Sequence, residues 1–511
     1  MFWRTKKAKK RRPPALRILR AETFESRRML SVVNVETAPV VPAGTLTLVG
    51  DGLGDQITIQ SDPSVPNQFD ITAGTGTVLT LNAPAPPPQA PTFQTLAVNG
   101  INGLITVTLG GGGSTFDFAG PGGGGTSNVP AGLTIVDGSG GNVDSITNVN
   151  ISGPLTVTNA PAIVSNANLT IASSTVTGNT IVTDAAAGGS GNMQTFINGG
   201  SLLGTFSLTN SLGSDSLMVT GASQFGASVP LAVPVVGINN AASTGGTFTD
   251  FTGGTSNVYG GLTITNGSNL QGFANVVNLA GAQVLGAVSV SSVASTSSLT
   301  VSNSNLETEA APTVPMAVDN TAGFASLSVT GSSIPWGLSV NNAFAGPTTF
   351  GSNTSIIGSS IGANLGVLPP GLTVVNSNGP NNEFLQSNTI GSLDLAGGTD
   401  FNTITLDSNK IQQLTVGPLA GSNNKLVLMG GVITQSINVN LGLGNNELDL
   451  LNGSLPIGGT TVPTLPTPQP LPFPPFTTVS IIGGTGINTF GLGAGISLPP
   501  GVSGFTIFKN L

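Results

Sequence analysis

The 511-residue chain contains no cysteine and no histidine. Without cysteine it forms neither a disulfide framework nor a thiolate metal site, and without histidine it lacks the commonest general base and metal ligand. Arginine is absent after Arg28, and only three lysines follow that position. These absences exclude catalytic schemes that pair serine or cysteine with histidine, and they leave few cationic groups for acid–base chemistry.

Charged and aromatic residues are also scarce, at 7% and 5% of the chain, whereas hydrophobic residues make up 38%. A disordered chain has the opposite balance, with few apolar residues and much charge. No apolar run reaches the roughly 18 residues that a membrane-spanning helix needs. The composition therefore predicts a folded chain that does not span a membrane.

The few charges are divided between two regions. Eleven of the 14 basic residues lie within residues 1–28, and 20 of the 22 acidic residues lie beyond them. A basic run of this kind can bind nucleic acid or acidic lipid. The rest of the chain adds no basic or aromatic surface to support nucleic-acid binding, so we predict none.

The basic leader ends in the octapeptide Phe-Glu-Ser-Arg-Arg-Met-Leu-Ser at residues 24–31. This segment resembles the LEPR-XLL N-terminal motif of planctomycete bacteria, whose core reads Leu-Glu-Pro-Arg-x-Leu-Leu. The identical positions are Glu25, Arg27 and Leu30. The differing positions are Phe24, Ser26 and Met29. The resemblance implies a large, repetitive, exported protein located outside the cell or on its surface, with this motif as a sorting or processing signal. An unstructured basic tail is the alternative.

A short phrase recurs after the leader: a small residue, leucine, a polar residue, valine or isoleucine, and then a turn. This alternation places leucine and valine on one face of a strand and threonine or serine on the other. Copies lie at residues 132–138, 154–159, 168–171, 261–267, 298–303, 326–331 and 371–376. Residues 124–139 also align without gaps to residues 253–268, with 12 of 16 positions identical. The chain is therefore an internal repeat of short strands.

The spacing of the strands is most regular towards the C-terminus. Apolar strand cores begin every 10 to 12 residues, at Leu393, Ile404, Leu414, Leu426, Ile437 and Leu448. Two or three strands per coil would give coils of about 22 or 33 residues, a period typical of solenoids. We predict an all-β fold, namely a parallel β-helix or β-solenoid. Tandem β-sandwich domains are the alternative, but sandwich cores usually contain a tryptophan or tyrosine anchor, and these residues are rare here.

Pairs of asparagines separate the strands. They lie at residues 239–240, 341–342, 381–382, 423–424 and 445–446. Asparagine tolerates left-handed backbone geometry, which suits tight corners. Stacked asparagine side chains can also form hydrogen-bonded ladders, as in cross-β structures. Plain turn residues and stacked ladders both remain open at this point, and both agree with a solenoid.

Changes in composition predict the domain boundaries. Within the body, we expect a proline-rich excursion at residues 83–91 and a glycine-rich loop at residues 110–125. The predicted units are a leader at 1–31, a β-solenoid body at 32–460, a proline-rich linker at 461–478 and a C-terminal β cap at 479–511.

Two glycine-rich turns are candidates for calcium binding. Residues 483–491 are similar to the nonapeptide of calcium-binding RTX repeats, but Asn488 stands where that repeat has aspartate, and no tandem copy follows. Asp51 and Asp55 flank a second turn. Calcium prefers several carboxylate and carbonyl oxygens. Plain turns without a metal are the interpretation that the sequence favours for all three residues.

A polysaccharide lyase or hydrolase is the enzymatic alternative for a β-helix. Glycoside hydrolysis needs two carboxylates roughly 5–10 Å apart. The closest acidic pairs of the body are Glu307 with Glu309 and Glu447 with Asp449. β-Helix lyases typically use arginine or lysine as the base, and the body has no arginine. We predict no catalytic residue, no cofactor and no enzymatic activity.

The expected function is that of an exported structural scaffold of the cell surface or extracellular matrix. An adhesin-like module that binds glycans or another surface is the alternative, because β faces rich in threonine, serine and asparagine can hydrogen-bond sugars. The expected partners are surface polysaccharide or other surface proteins, together with the export machinery that reads the leader.

Overall fold

The computed structural model of this chain is all-β, and the residues it describes include no helix. The described residues are 31–37, 42, 44–82, 92–122, 124–159, 166–184, 191–210, 212–227, 234–252, 254, 256–267, 274–293, 296–307, 315–320, 324–342, 351–362, 371–376, 379–398, 401–419, 423–451, 478–483, 488–492, 502–503 and 506–509.

The strands in chain order are β1 (Ser31–Glu36), β2 (Leu46–Gly50), β3 (Gln56–Ser61), β4 (Phe69–Ala73), β5 (Thr77–Leu81), β6 (Thr92–Phe93), β7 (Thr95–Val98), β8 (Ile105–Thr108), β9 (Thr115–Ala119), β10 (Ser127–Val129), β11 (Leu133–Asp137), β12 (Val143–Thr147), β13 (Val149–Ile151), β14 (Leu155–Asn159), β15 (Ala167–Ala172), β16 (Thr175–Val176), β17 (Thr180–Asp184), β18 (Met193–Asn198), β19 (Ser201–Leu202), β20 (Phe206–Thr209), β21 (Asp215–Thr220), β22 (Gln224–Phe225), β23 (Pro234–Asn240), β24 (Thr247–Phe251) and β25 (Asn257–Val258). They continue with β26 (Gly261–Asn266), β27 (Asn275–Ala280), β28 (Gln283–Val284), β29 (Val288–Ser292), β30 (Thr296–Ser302), β31 (Asn305–Leu306), β32 (Met316–Asn320), β33 (Phe324–Thr330), β34 (Ser333–Ile334), β35 (Leu338–Asn341), β36 (Ser352–Ile357), β37 (Ser360–Ile361), β38 (Leu372–Asn376), β39 (Asn381–Gln386), β40 (Thr389–Gly397), β41 (Asn402–Asp407), β42 (Lys410–Val416), β43 (Lys425–Met429), β44 (Val432–Asn440), β45 (Glu447–Leu451), β46 (Thr478–Ile482), β47 (Thr489–Leu492), β48 (Val502–Ser503) and β49 (Thr506–Lys509).

From β8 onward the strands form a β-solenoid. One representative coil contributes β12 to the first sheet, which we call sheet B, and then β13 and β14 to the second, sheet A. Each strand pairs in parallel with its counterpart one coil away, as β12 does with β9 and β15. From β8 to β45, paired residues of adjacent coils lie between 21 and 34 positions apart in the chain, and the step from β44 to β46 is 42. The predicted solenoid is therefore confirmed, and the coils between β8 and β45 have about the expected 22 to 33 residues.

The direction of pairing rules out the sandwich alternative. A sandwich is built from antiparallel strands within each domain. Among the described strands, antiparallel pairing occurs only within β1–β7. The six C-terminal strand cores predicted from spacing all lie in strands, and they alternate between the two sheets as β40 to β45.

The core is a set of aliphatic stacks along the solenoid axis. Leu133 pairs with Leu155 and Ile135 with Val157, and none of these four side chains has measurable exposure. Complete burial of such a side chain contributes about 1.5–3 kcal/mol. The recurring phrase thus stacks leucine, isoleucine and valine above one another in successive coils.

The corner where sheet B turns into the short strand of sheet A is a tight turn in several of the described coils. Residues at this corner have left-handed backbone geometry, with φ of 56° at Asn148, 49° at Asn303 and 55° at Ser408. Glycine occupies the same corner at Gly331, with φ of 57°, because it adopts this geometry without steric cost. The paired asparagines do not provide these corners. They lie at or next to strand ends instead, so the prediction that they supply left-handed corners is wrong.

The N-terminal part of the body differs from the predicted repeat. Strands β1 with β2, β3 with β4, β4 with β7 and β5 with β6 pair antiparallel. This unit joins the solenoid through the parallel pairs β2–β8 and β3–β9. Phe69 packs edge-on against Phe118 with ring centroids 5.9 Å apart, so its core is continuous with that of the first coils.

The predicted glycine-rich loop at residues 110–125 is wrong at its centre. Residues Thr115–Ala119 form β9, with Phe116 and Phe118 completely buried. Alternation of phenylalanine with polar residues is a strand pattern, and it prevails over the flanking glycines.

Two predicted segments lie outside the described residues: the excursion at 83–91 and nearly all of the linker at 461–478, of which only Thr478 is described, at the start of β46. Beyond them, β46 and β47 pair in parallel with β44 and β45 and so continue both sheets of the solenoid.

Candidate functional site

The interior of the solenoid contains rows of buried polar side chains beside its aliphatic stacks. The longest row of amides, which we call the amide ladder, stands where successive strands of sheet B begin. Its members are Asn381, Asn402, Asn424, Asn446 and Asn488. All five are buried.

Each amide of this ladder donates to the next. The Nδ2–Oδ1 distances are 2.9 Å from Asn381 to Asn402, 2.6 Å from Asn402 to Asn424, 3.2 Å from Asn424 to Asn446 and 3.1 Å from Asn446 to Asn488. An amide carries both a donor and an acceptor, so identical residues stacked one coil apart satisfy one another. The ladder therefore links five consecutive coils through their side chains.

A second row, the corner ladder, follows the tight corner. Its members are Ser304, Ser332, Ser359, Asn388 and Asn409. In each step the backbone N–H of one member donates to the side-chain oxygen of the next, over 2.8–3.2 Å. The strand-end amides Asn210, Asn240 and Asn266 form a third row, with steps of 2.6 and 2.8 Å.

These rows decide between the two interpretations of the asparagine pairs. In each pair one residue is buried, namely Asn240, Asn342, Asn381, Asn424 and Asn446. Each of these donates or accepts an amide-to-amide hydrogen bond. The prediction of stacked ladders is therefore confirmed.

The calcium candidates are not brought together. Asn488 belongs to the amide ladder, where its oxygen accepts from both the backbone and the side chain of Asn446. Asp51 and Asp55 lie at the other end of the chain, beside β1. Among the described residues, no group of three or more acidic side chains is placed to hold a metal ion.

Asp51 and Asp55 instead bind the start of the first strand. Asp55 is fully buried, and it accepts hydrogen bonds from the Ser31 hydroxyl and, at 2.9 Å, from the Gly110 backbone N–H. Asp51 accepts from the backbone N–H of Val32 at 2.9 Å. Burial raises the pKa of Asp55, and the nearby charge of Asp51 acts in the same direction, whereas the hydrogen bonds from Ser31 and Gly110 oppose it.

An acidic pair that sequence reasoning missed lies at another corner. Asp137 ends β11 and Asp144 lies in β12, and their carboxyl groups interact directly, each side chain being 1% exposed. No other described group donates to their oxygens. Burial raises the pKa of Asp144 well above its usual range, and the neighbouring charge of Asp137 acts in the same direction. The feature of the sequence that could have indicated this pair is the glycine-rich turn at residues 138–141, which brings the end of β11 close to the start of β12.

Glu383 is an isolated interior acid. It points inward from β39 with no measurable exposure, between Thr354 and Ile404 on the adjacent strands. Neither of its carboxyl oxygens has a well-formed hydrogen bond, although the side chain of Asn376 favours the charged form and so opposes part of the effect of burial. Burial raises the pKa of Glu383 to about 8, so the group is largely uncharged at neutral pH.

Two further interior acids are held by backbone groups. The Val288 N–H donates to Glu307 at 3.1 Å, and burial raises the pKa of Glu307 to about 8. The Met193 N–H donates to Asp215 at 2.9 Å, and burial raises the pKa of Asp215 to about 6. Glu307 and Glu383, which add to the formal negative charge of the body, are therefore largely uncharged parts of the core at neutral pH.

The acidic pair of β45 contacts a lysine of the adjacent strand. Lys425 Nζ is 3.0 Å from the partly exposed Glu447 and 3.2 Å from Asp449, which is buried. Partial burial opposes the charge of Lys425, but the hydrogen bonds to these two carboxylates raise its pKa. Glu309 and the leader residues Phe24, Glu25, Arg27 and Leu30 lie outside the described residues.

A cleft of about 270 Å³ lies in the N-terminal unit. Its described lining is Thr37, Gly44, Thr45, Leu81, Leu96, Ala97, Val98, Asn99 and Ile101, and it contains no titratable side chain. In the described portion of the chain, no helix is long and apolar enough to cross a membrane.

Comparison of the chain with protein-family models, with curated proteins and with solved structures gives no match in any of the three. The function is therefore inferred from the chain's own residues.

The amide ladder makes a stability prediction. Replacing Asn402 with alanine removes the bonds to Asn381 and Asn424 and leaves a polar atom unpaired in the core. We expect Asn402→Ala to lower the free energy of unfolding by about 2 kcal/mol or more, measured by denaturant titration. Asn382→Ala is the matched control, since Asn382 is exposed and should cost little. Equal losses in the two variants would contradict a structural role for the ladder.

The buried position of Glu383 leads us to expect that the free energy of unfolding falls as pH rises. Its folded pKa of about 8 lies above its ordinary value of 4.5, so the folded state binds the proton more tightly than the unfolded state does. The associated stability is fully present below about pH 4.5 and is lost towards pH 8, on the order of 4 kcal/mol in total.

Glu383→Gln keeps the size of the side chain and removes this titration. Denaturant titrations at pH 4.5 and pH 8 should show a smaller difference for Glu383→Gln than for the unsubstituted chain. Asp394→Asn, on the outer face of β40, should leave the difference unchanged. An unaltered difference in Glu383→Gln would show that Glu383 is not the titrating group.

Proposed function

We propose that this chain is an exported, non-catalytic structural scaffold of the cell surface or extracellular matrix. The observation that carries the proposal is the use of the polar side chains. The stacked asparagines and serines form hydrogen bonds between adjacent coils, and the interior acids are buried. These polar groups therefore stabilise the solenoid and do not line a site open to a ligand.

The outer face of sheet A supports the same role. Thr47, Thr106, Thr134 and Thr156 follow one another in register on four neighbouring strands, and all are partly exposed. Such rows carry no charge and make many weak polar contacts, which repetition multiplies. They also support the second candidate, an adhesin-like module that hydrogen-bonds glycans. Binding to specific sugars on a glycan array would favour the adhesin, and its absence would favour the passive scaffold.

The leader supplies the argument for export. Its basic residues and its motif at 24–31 end where β1 begins, at Ser31. The leader is thus proposed to direct the chain outward and to be removed, leaving the body as the mature protein.

Export predicts a defined mature N-terminus. Cells producing the full chain are fractionated, and N-terminal residues are read from protein at the surface and in the medium. We expect chains that lack the leader and begin at or close to Ser31. Arg27→Ala should retain the chain inside the cell, whereas Arg17→Ala, outside the motif, should not. A cytoplasmic product that begins at Met1 and never leaves the cell would contradict the proposal.

A further inference from the structure

The environment of Ser31 contains a buried carboxyl group that has no cationic partner among the described residues. Ser31 is 2% exposed, and its hydroxyl donates to the carboxylate of Asp55, which is itself fully buried. Asp51 lies beside them and accepts from the N–H of the next residue, Val32. No lysine or arginine occurs between residues 29 and 409 of the chain. A buried carboxylate is costly unless it is paired.

The backbone nitrogen of Ser31 belongs to the residue between these contacts: the Ser31 hydroxyl donates to Asp55, and the N–H of the next residue donates to Asp51. It donates to the carbonyl oxygen of Gly76 at 2.8 Å, and Ser31 pairs with Thr77 as the first residue of β1. A cut on the C-terminal side of Ser31 would remove a paired strand residue together with the hydroxyl that binds Asp55. A cut between Leu30 and Ser31 removes neither.

We infer that removal of the leader occurs at the Leu30–Ser31 bond and creates an α-ammonium group that Asp55, assisted by Asp51, binds as its missing cation. This inference rests on the proposed processing of the leader. In the reaction, water adds across the amide bond. Leu30 gains a new carboxylate and departs with the leader. The nitrogen of Ser31 remains on the body as an amine and takes up a proton. An export peptidase would catalyse the hydrolysis.

The new group fits the contacts already present. An ammonium has three N–H donors where the peptide had one. One donor keeps the bond to the Gly76 oxygen, and the others are available to the carboxylates of Asp55 and Asp51. The described residues of the packed strands β2, β3 and β5 contribute no further titratable side chain. Processing would therefore add an ionic partner to a buried acid that otherwise accepts only neutral hydrogen bonds, and the ion pair would stabilise the first strand.

The pair also has a defined pH dependence. An α-amine that gains a carboxylate partner on folding has its pKa raised above the ordinary value of about 8. Its stabilising effect is complete below that ordinary pKa and disappears as pH rises through the raised one. The raised pKa of Asp55 in the uncut chain should fall once the ammonium is present.

The test compares residues 31–511 with a free N-terminal amine and the same chain with that amine acetylated. Below pH 8 the free-amine form should melt at a higher temperature, and the gap should close at strongly alkaline pH. Asp55→Asn should abolish the gap between the two forms. Asp62→Asn, which changes a partly exposed acid of the same unit, should preserve it. Equal melting temperatures of the two forms in the unsubstituted chain would overturn the inference.

A second measurement covers the case in which Asp55→Asn does not fold. The rate of selective N-terminal labelling of the folded, unsubstituted chain is followed against pH, with an unstructured peptide of the same N-terminal sequence as reference. A raised amine pKa supports the ion pair, and an ordinary one overturns it. Export itself is judged separately, since a mature chain that begins at Ser31 without this stabilisation would refute only the pairing.

Discussion

Most of the buried asparagines and serines of this solenoid find a hydrogen-bond partner one coil away, because the side chains around them are largely aliphatic or phenylalanine. Stacked strands lie about 4.8 Å apart, which places identical side chains within reach of one another. Asn402 between Asn381 and Asn424 shows the result, since a single amide serves as acceptor for one neighbour and donor to the other. Repetition of the sequence thus places hydrogen-bonding side chains where their partners in the neighbouring coils can reach them.

The same constraint explains what was predictable from the sequence. The alternating phrase around Leu155 and the spacing from Leu393 to Leu448 predict strands, coils and an inward aliphatic face, and all three are observed. The direction of pairing in β1–β7 was not predictable, because alternation suits parallel and antiparallel neighbours equally. The contact between Asp137 and Asp144 was missed for a related reason. It depends on how a glycine-rich corner folds back, and this leaves no trace in the spacing of acids along a strand.

The placement of charge connects the fold to the proposed function. Formal composition assigns the body many acids, yet Asp144, Glu307 and Glu383 are interior groups whose pKa values burial raises. Those acids therefore contribute to the core and not to the outer faces, which present largely threonine, serine and asparagine. Such a rod suits a passive component that works through length and shape. Beside the first strand, Asp55 and Asp51 are proposed to bind the ammonium group that removal of the leader creates, and this ion pair would stabilise the folded chain.

The central claim is that the described coils form one continuous stack. Small-angle X-ray scattering of the chain from residue 31 in dilute solution tests it most directly. A single rod predicts a pair-distance distribution with one early peak from the cross-section and a long, nearly linear decline towards a maximum dimension several times the width. A distribution with repeated maxima, typical of separate beads on a string, or a symmetric bell typical of a compact particle, would contradict it.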